Sequence, residues 1–346
     1  MEITMEHLFA RFLEARSLPV LFLIMAVCIY ALSRGADWLV EEAVLLSRKW
    51  GIPKLLIGAT VVSLGTTLPE AAVSVFAAIE GKPDIALGNA VGSIICDTGL
   101  ILGIATLISP LPLSGQVVHR QGWLQLGAGF LLVAACIPLA DPGGIFSRGG
   151  VLPRYMGVVF LGLLAVYMWI SVKWVKSGGS DESEEGGELP DVSGGGTLLK
   201  IVFSIGLVVI SSRLLIPAVQ ETAIRLSVPE SIIGATLVAF GTSLPELVTA
   251  VTAVRKGHGE LAVGNVIGAD ILNVLFVAGA SAAVTPEGLL APPHFFKLLF
   301  PSMLAVLLLF RVGIHYSGER LKRPFGAALL GLYLALTLLS YSGLIS

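Results

Sequence analysis

Apolar stretches of about 20 residues recur along the chain, each long enough to cross a ~30 Å hydrocarbon core as a helix. Short segments rich in Pro, Gly or charge separate them. Ten such stretches are expected to be helical: residues 18–32, 54–78, 85–108, 122–140, 151–175, 198–219, 229–254, 261–284, 295–312 and 325–344. The pattern predicts an all-α polytopic membrane protein with ten transmembrane helices. Arg11 and Arg16 precede the first stretch, as basic residues precede the apolar part of a signal peptide. Trp38 to Leu46 nevertheless continues it as helix, without a small-residue cleavage site.

Composition agrees with this pattern. Of 346 residues, 55% are hydrophobic and 13% charged, about half the charged share of a soluble domain; mean hydropathy is +0.88. A net charge of −2 with no basic block argues against a nucleic-acid partner. Cys28, Cys96 and Cys136 each sit in an apolar run and read as small buried hydrophobes, not as a disulfide frame or metal cluster. The five histidines lie at span ends or in loops and take no role, while Trp38, Trp123, Trp169 and Trp174 read as interfacial anchors. No soluble catalytic domain fits between the spans, and no HExxH, GxGD or Ser/His pairing appears in them. The chain therefore reads as no enzyme, with the lipid bilayer as surroundings and neither a resident cofactor nor an obligate protein partner expected. Ten spans put both termini on one side. Eight Lys/Arg on that side against fourteen opposite place both termini outside a cell (plasma or inner) membrane.

One segment breaks the apolar character. Residues 177–196 (SGGSDESEEGGELPDVSGGG) are too polar to fold and read as a flexible acidic cytoplasmic linker; a Ca²⁺-sensing strip on Asp181, Glu182, Glu184 and Glu185 is the functional alternative. The linker divides the chain into residues 1–176 and 197–346, and the two parts share a motif. Gly58 to Glu70 (GATVVSLGTTLPE) matches Gly234 to Glu246 (GATLVAFGTSLPE) at an offset of 176 residues. The same offset carries Gly88, Asn89 and Gly92 onto Gly264, Asn265 and Gly268, Asp97 onto Asn273, and Gly103 onto Gly279. Repeats 58–103 and 234–279 thus lie in halves of five spans each. An odd number of spans reverses the second copy in the membrane, which predicts two inverted-topology five-helix repeats of the kind that secondary transporters use.

The duplicated motif interrupts its helix. Pro69 has no N–H for the Gly65 carbonyl, and Pro245 stands in the same relation to Gly241. Carbonyls near Ser63–Gly65 and Ala239–Gly241 are expected to be freed for a cation. Thr66, Thr67 and Glu70 share a helical face, as do Thr242, Ser243 and Glu246. The following span adds Asn89, Ser93 and Asp97, and its counterpart adds Asn265 and Asn273. Gly88 with Gly92 and Gly264 with Gly268 form small-residue surfaces for close helix approach. Within these four spans the ionisable groups are Glu70, Asp97, Glu246 and Asp270, with Lys54 and Arg255 only at the ends. Several intramembrane carboxylates without a basic partner imply a cation or protons. Two glutamates with hydroxyl, amide and carbonyl oxygens can supply the roughly six to eight ligands that Ca²⁺ takes, and soft ligands for zinc or copper are missing.

At these residues the chain resembles the cation/Ca²⁺ exchanger superfamily, in particular its prokaryotic Na⁺/Ca²⁺ exchanger branch. The repeats carry the resemblance most strongly. Cation/H⁺ exchangers of the superfamily have a Gly-Asn…Glu pattern where this chain has Thr66-Thr67 and Thr242-Ser243. The resemblance implies secondary antiport of Ca²⁺ against Na⁺, the two ions competing for one cluster of sites. It implies Glu70 and Glu246 as shared ligands, hydroxyl or carbonyl oxygens from Thr66, Thr67, Thr242 and Ser243, and backbone carbonyls from Ser63 and Ala239. Asp97 and Asn273 would line the centre. Three departures stand out. Asp97 and Asn273 exchange the residue types that family members often have, Ala269 stands where many have Ser, and Asp270 replaces a common Asn. An H⁺- or K⁺-coupled exchanger of Ca²⁺ or another divalent cation is the alternative. A passive cation channel fits duplicated halves less well.

Overall fold

The computed structural model describes residues 12–13, 15–113, 116–138, 141–177, 194–226 and 242–341, and they are mostly helical. The helices are α1 (Leu18–Trp50), α2 (Lys54–Thr66), α3 (Leu68–Ile79), α4 (Pro83–Ile108), α5 (Gln116–Cys136), α6 (Arg154–Ser177), α7 (Gly194–Arg225), α8 (Leu244–Arg255), α9 (Gly259–Val284), α10 (Phe295–Tyr316) and α11 (Arg323–Tyr341). Two short antiparallel ribbons join loops: β1 (Leu111–Pro112) pairs with β4 (Arg320–Leu321), and β2 (Gly150–Leu152) with β3 (Leu289–Ala291). These ribbons amend the all-α expectation; they give chain segments between helices a partner for their backbone groups.

Seven described helices are long and apolar enough to cross a membrane, or eight spans when α2 and α3, bent by 44° at Thr67, count as one. The expected span 122–140 is not among them, because α5 begins earlier and carries His119, Arg120, Gln121 and Gln125. The expected span 229–254 is described only from residue 242. The first helix is much longer than residues 18–32. Gly35, just beyond that stretch, packs against Val208 of α7. The charges beyond are also satisfied: Asp37 and Glu41 pair with Lys256 at 3.1 and 2.7 Å, and Glu42 with Lys200 at 2.9 Å. Gly51, with φ +64°, ends the helix in the left-handed conformation that glycine adopts without strain. Ser177 and Gly194–Gly196, expected in the linker, are helical ends of α6 and α7; residues 178–193 lie outside the described set.

Burial orders the bundle. In its apolar window α9 is 94% buried and α1 22%, so α9 runs through the centre while α1 lies at the rim. α1 packs along α7, and Cys28, Leu32, Ala36, Val208 and Leu215 form an apolar cluster apart from the main core. The expected close approach is observed between α2 and α9. A Cβ on Gly264 would stand 2.0 Å from the Leu55 carbonyl oxygen, and one on Gly268 2.5 Å from that of Ala59. The other small-residue pair differs: among the described residues nothing comes within 4 Å of a Cβ at Gly92, and Gly88 meets only Phe295 at 3.7 Å. All three cysteines are free and buried.

Candidate functional site

The two copies of the motif place their glutamates alike. Thr67 interrupts the helix with φ −81° and ψ −7°, and α3 starts at Leu68 with Pro69 in its first turn. Ser243, 176 residues on, has φ −86° and ψ 9°, and α8 starts at Leu244 with Pro245 in its first turn. A proline fits there because the first-turn N–H groups have no intrahelical partner. Glu70 and Glu246 follow directly, where the helix dipole favours negative charge. Both are 1% exposed, and neither Oε2 has a hydrogen-bond partner among the described residues.

The helix break comes one residue later than the freed Ser63 carbonyl requires. Because α2 continues to Thr66, the Thr67 N–H donates to the Ser63 carbonyl at 2.9 Å. The Thr66 hydroxyl donates towards the same oxygen at 3.3 Å. Ala239 lies outside the described residues.

Side chains from both copies close around the glutamates. The Thr67 hydroxyl donates to Glu246 Oε1 at 3.5 Å. Thr66 donates to Asn265 Oδ1 at 3.5 Å, and Thr242 donates to Asn89 Oδ1 at 3.3 Å. Asn89 in turn donates to Ser74 Oγ at 2.9 Å and to the Glu70 carbonyl at 3.4 Å. Ser63, Thr66, Thr67, Ser74, Ser93, Asp97, Ser243, Asn265 and Asn273 are all buried. Asp97 lies beside Ser243 and within electrostatic reach of Glu246 and Asp270; its Oδ1 and that of Asn273 have no partner among the described residues. α4 and α9 each contain a π-helical turn here, Cys96–Ile101 and Asn273–Ala278. Such turns add a residue to the helical repeat and recur at functional sites. Among the described residues no three of His, Cys, Asp and Glu converge tightly enough to hold a metal ion, so any cation held here depends on hydroxyl, amide and carbonyl oxygens beside its carboxylates.

Two corrections follow. Asp270 does not face the glutamates alone. Its Oδ2 accepts from the Thr98 hydroxyl and from Gln125 Nε2 of α5, both at 2.5 Å. The carboxylates are also not without a basic neighbour, because Arg213 of α7 donates to the Pro69 carbonyl at 3.2 Å and reaches Glu70 electrostatically. A lone arginine inside the apolar stretch 198–219 was a readable signal, since such residues face the protein interior. Cys96 also lies against Ser243 and Tyr333 at the edge of the site.

Comparison with known proteins bears on this arrangement. The family model described as sodium/calcium exchanger protein matches residues 20–173 and 197–342. The sodium/calcium exchanger MaX1 of Methanosarcina acetivorans is 30% identical over 350 aligned positions, spanning 92% of this chain and 97% of that protein. The inner membrane protein YrbG of Escherichia coli is 38% identical over 259, spanning 73% and 76%. A solved structure of the sodium-calcium exchanger NCX_Mj, soaked with 10 mM Na⁺ and no Ca²⁺, superposes with a TM-score of 0.76 at 26% identity, covering 95% of this chain and all of that one. With a multi-helix membrane bundle built around the duplicated Gly-Thr-Ser/Thr-Leu-Pro-Glu motif, the chain belongs to the sodium/calcium exchanger protein family.

Proposed function

We propose that this protein is an antiporter that exchanges Ca²⁺ for Na⁺ across a cell membrane by alternating access. The observation that carries the reading is the pair of buried glutamates, Glu70 and Glu246, each with an open Oε2. Two negative charges in a membrane interior call for compensation, and one divalent cation supplies it. Thr66, Thr67, Thr242, Ser243, Asn89 and Asn265 stand around the pair with the neutral oxygens that Ca²⁺ accepts in a flexible cage. Two or more Na⁺ neutralise the same charges, which is the basis for competition between the ions.

The architecture behind this reading is ten spans in two inverted halves joined by a cytoplasmic tether within residues 178–193, with both termini outside. Ser63, Ala239, Ser93, Asp97 and Asn273 complete the proposed ion path. The H⁺-coupled alternative draws its support from Asp97 and Asp270, two buried carboxylates beyond the glutamate pair. Ca²⁺ flux into vesicles with Na⁺, K⁺ and H⁺ gradients imposed one at a time decides between them. A Na⁺ gradient alone should drive uptake; uptake driven only by H⁺ or K⁺ would replace Na⁺ as the coupling ion.

A further inference from the structure

We propose that Asp270, Thr98 and Gln125 form a Na⁺ site separate from the two-glutamate centre, an inference that rests on the exchanger reading of the chain. Asp270 lies in α9, Thr98 in the π-helical turn of α4, and Gln125 in α5; they are 2%, 0% and 3% exposed. Asp270 Oδ2 accepts from both neighbours, and Gln125 Nε2 also reaches Thr98 Oγ1 at 3.1 Å. Two donors occupy Oδ2 and leave Oδ1 as the open oxygen of the carboxyl group. Oδ1 is buried without a hydrogen-bond partner, and Asp270 has no ion pair among the described residues. A proton on Oδ1 would find no acceptor there. A charged carboxylate in a membrane interior without a basic partner is sustained by a cation.

Charge matching selects a monovalent ion. The cluster offers one carboxylate with Oδ1 open, plus the Thr98 hydroxyl oxygen, while Gln125 holds Oδ2 through its Nε2; a divalent ion would leave a net positive charge buried away from water, which is costly. Two glutamates match a divalent ion; one aspartate matches Na⁺. The cluster also stands outside the duplicated pattern, because the 176-residue offset takes Asp270 to Ile94, which has no oxygen to offer. On α5, Gln121 lies one turn before Gln125, is fully buried and accepts from the Tyr167 hydroxyl at 3.2 Å. The α5 face next to the site is therefore polar where lipid contact would require it to be apolar.

The test uses the purified full chain in detergent, with Na⁺ titrated against choline and thermal stability as the readout, since an ion that binds the native state raises the midpoint. The double variant E70Q/E246Q silences the centre. It should still be stabilised by Na⁺, and adding Asp270→Asn should remove that response. Should the triple variant fail to fold, Gln125→Leu in the double-variant background should raise the half-saturating Na⁺ several-fold. A Na⁺ response in the wild type that vanishes entirely in E70Q/E246Q overturns the separate site, as does one that survives Asp270→Asn or is unmoved by Gln125→Leu. A wild type stabilised by Ca²⁺ but indifferent to Na⁺ overturns the Na⁺-coupled reading itself.

Discussion

Thr66 donates to Asn265, and Thr242, its equivalent 176 residues on, donates to Asn89, the equivalent of Asn265. Each half of the chain thus hands a hydroxyl from its interrupted helix to the amide on the helix after the other half's interruption. Such reciprocal contacts are what a two-fold arrangement of similar units produces. Glu70 and Glu246 lie within electrostatic reach of each other beside these contacts, and in the proposed exchanger an ion touching both would bridge the halves. A change in how one half sits against the other then changes the ion's surroundings directly.

The first expectation concerns the glutamates. Glu70→Gln and Glu246→Gln each remove one charge from a site where water cannot replace it. Ca²⁺ exchange in vesicles should fall to background in both, while expression and membrane insertion persist. Near wild-type exchange in either variant would exclude a shared divalent site.

The Thr–Asn pairing can be measured by a double-mutant cycle. Thr66→Val and Asn265→Ala should each raise the Ca²⁺ concentration for half-maximal exchange. Together they should cost less than the sum, with a coupling of about 0.5–3 kcal/mol for residues in contact. Additive effects would mean that the 3.5 Å contact carries no energy.

Packing between α2 and α9 gives a stability test. Gly264→Ala puts a methyl group 2.0 Å from the Leu55 carbonyl oxygen, a backbone atom that cannot swing aside. Overpacking of this kind costs about 1–3 kcal/mol, and the thermal midpoint should drop. Gly127→Ala in α5, where nothing described lies within 4 Å, is the control and should leave the midpoint unchanged or slightly raised.

The duplication explains how much of the site was readable. Offset arithmetic requires no structure, so both glutamates, their hydroxyl neighbours and the Gly-Asn stripes came from residue order alone. Contacts made once were silent. Gln125 and Thr98 are ordinary polar residues until α5 is packed on α4 and α9, and nothing in their order points to Asp270. The continuation of α1 past residue 32 was legible in Trp38 to Leu46, but its ion pairs were not: Asp37, Glu41 and Glu42 have no visible partners in residue order until Lys256 and Lys200, over 150 residues away, are seen to pair with them. By the 176-residue offset, Leu55 and Ala59, which Gly264 and Gly268 meet, correspond to Ser231 and Ala235, which lie outside the described set.

His258, between α8 and α9 outside the membrane spans, gives a pH prediction. Burial and the neighbouring charges of Lys54, Arg48 and Lys256 hold its imidazole below the usual histidine value of 6.5. The unfolded chain therefore takes up this proton at higher pH than the folded one. The associated stability is full above about pH 6.5 and is lost as pH falls through the folded-state value. His258→Gln cannot take up the proton and should flatten the acid side of the stability profile in thermal melts between pH 5 and 7, while leaving the neutral side unchanged. An unchanged slope would show that His258 is not the group that titrates there.

The last expectation separates tether from sensor. Residues 181–188 contain Asp181, Glu182, Glu184, Glu185 and Glu188 among Ser and Gly, with almost no apolar side chain to bury. A segment of that composition gains too little on folding to offset its conformational entropy, and its job reduces to joining α6 to α7. Deleting Asp181 to Glu188 leaves roughly half the polar segment, still able to cover some 25–30 Å when extended at about 3.3–3.6 Å per residue. Na⁺-driven Ca²⁺ flux should remain close to wild type at every Ca²⁺ concentration on the linker side. If the acidic residues instead bind Ca²⁺ to activate the exchanger, the deletion would abolish a rise in rate with Ca²⁺ on that side while sparing transport at saturating substrate. Flux measured with Ca²⁺ varied on the linker side alone distinguishes the two, because a plain tether has no response there to lose.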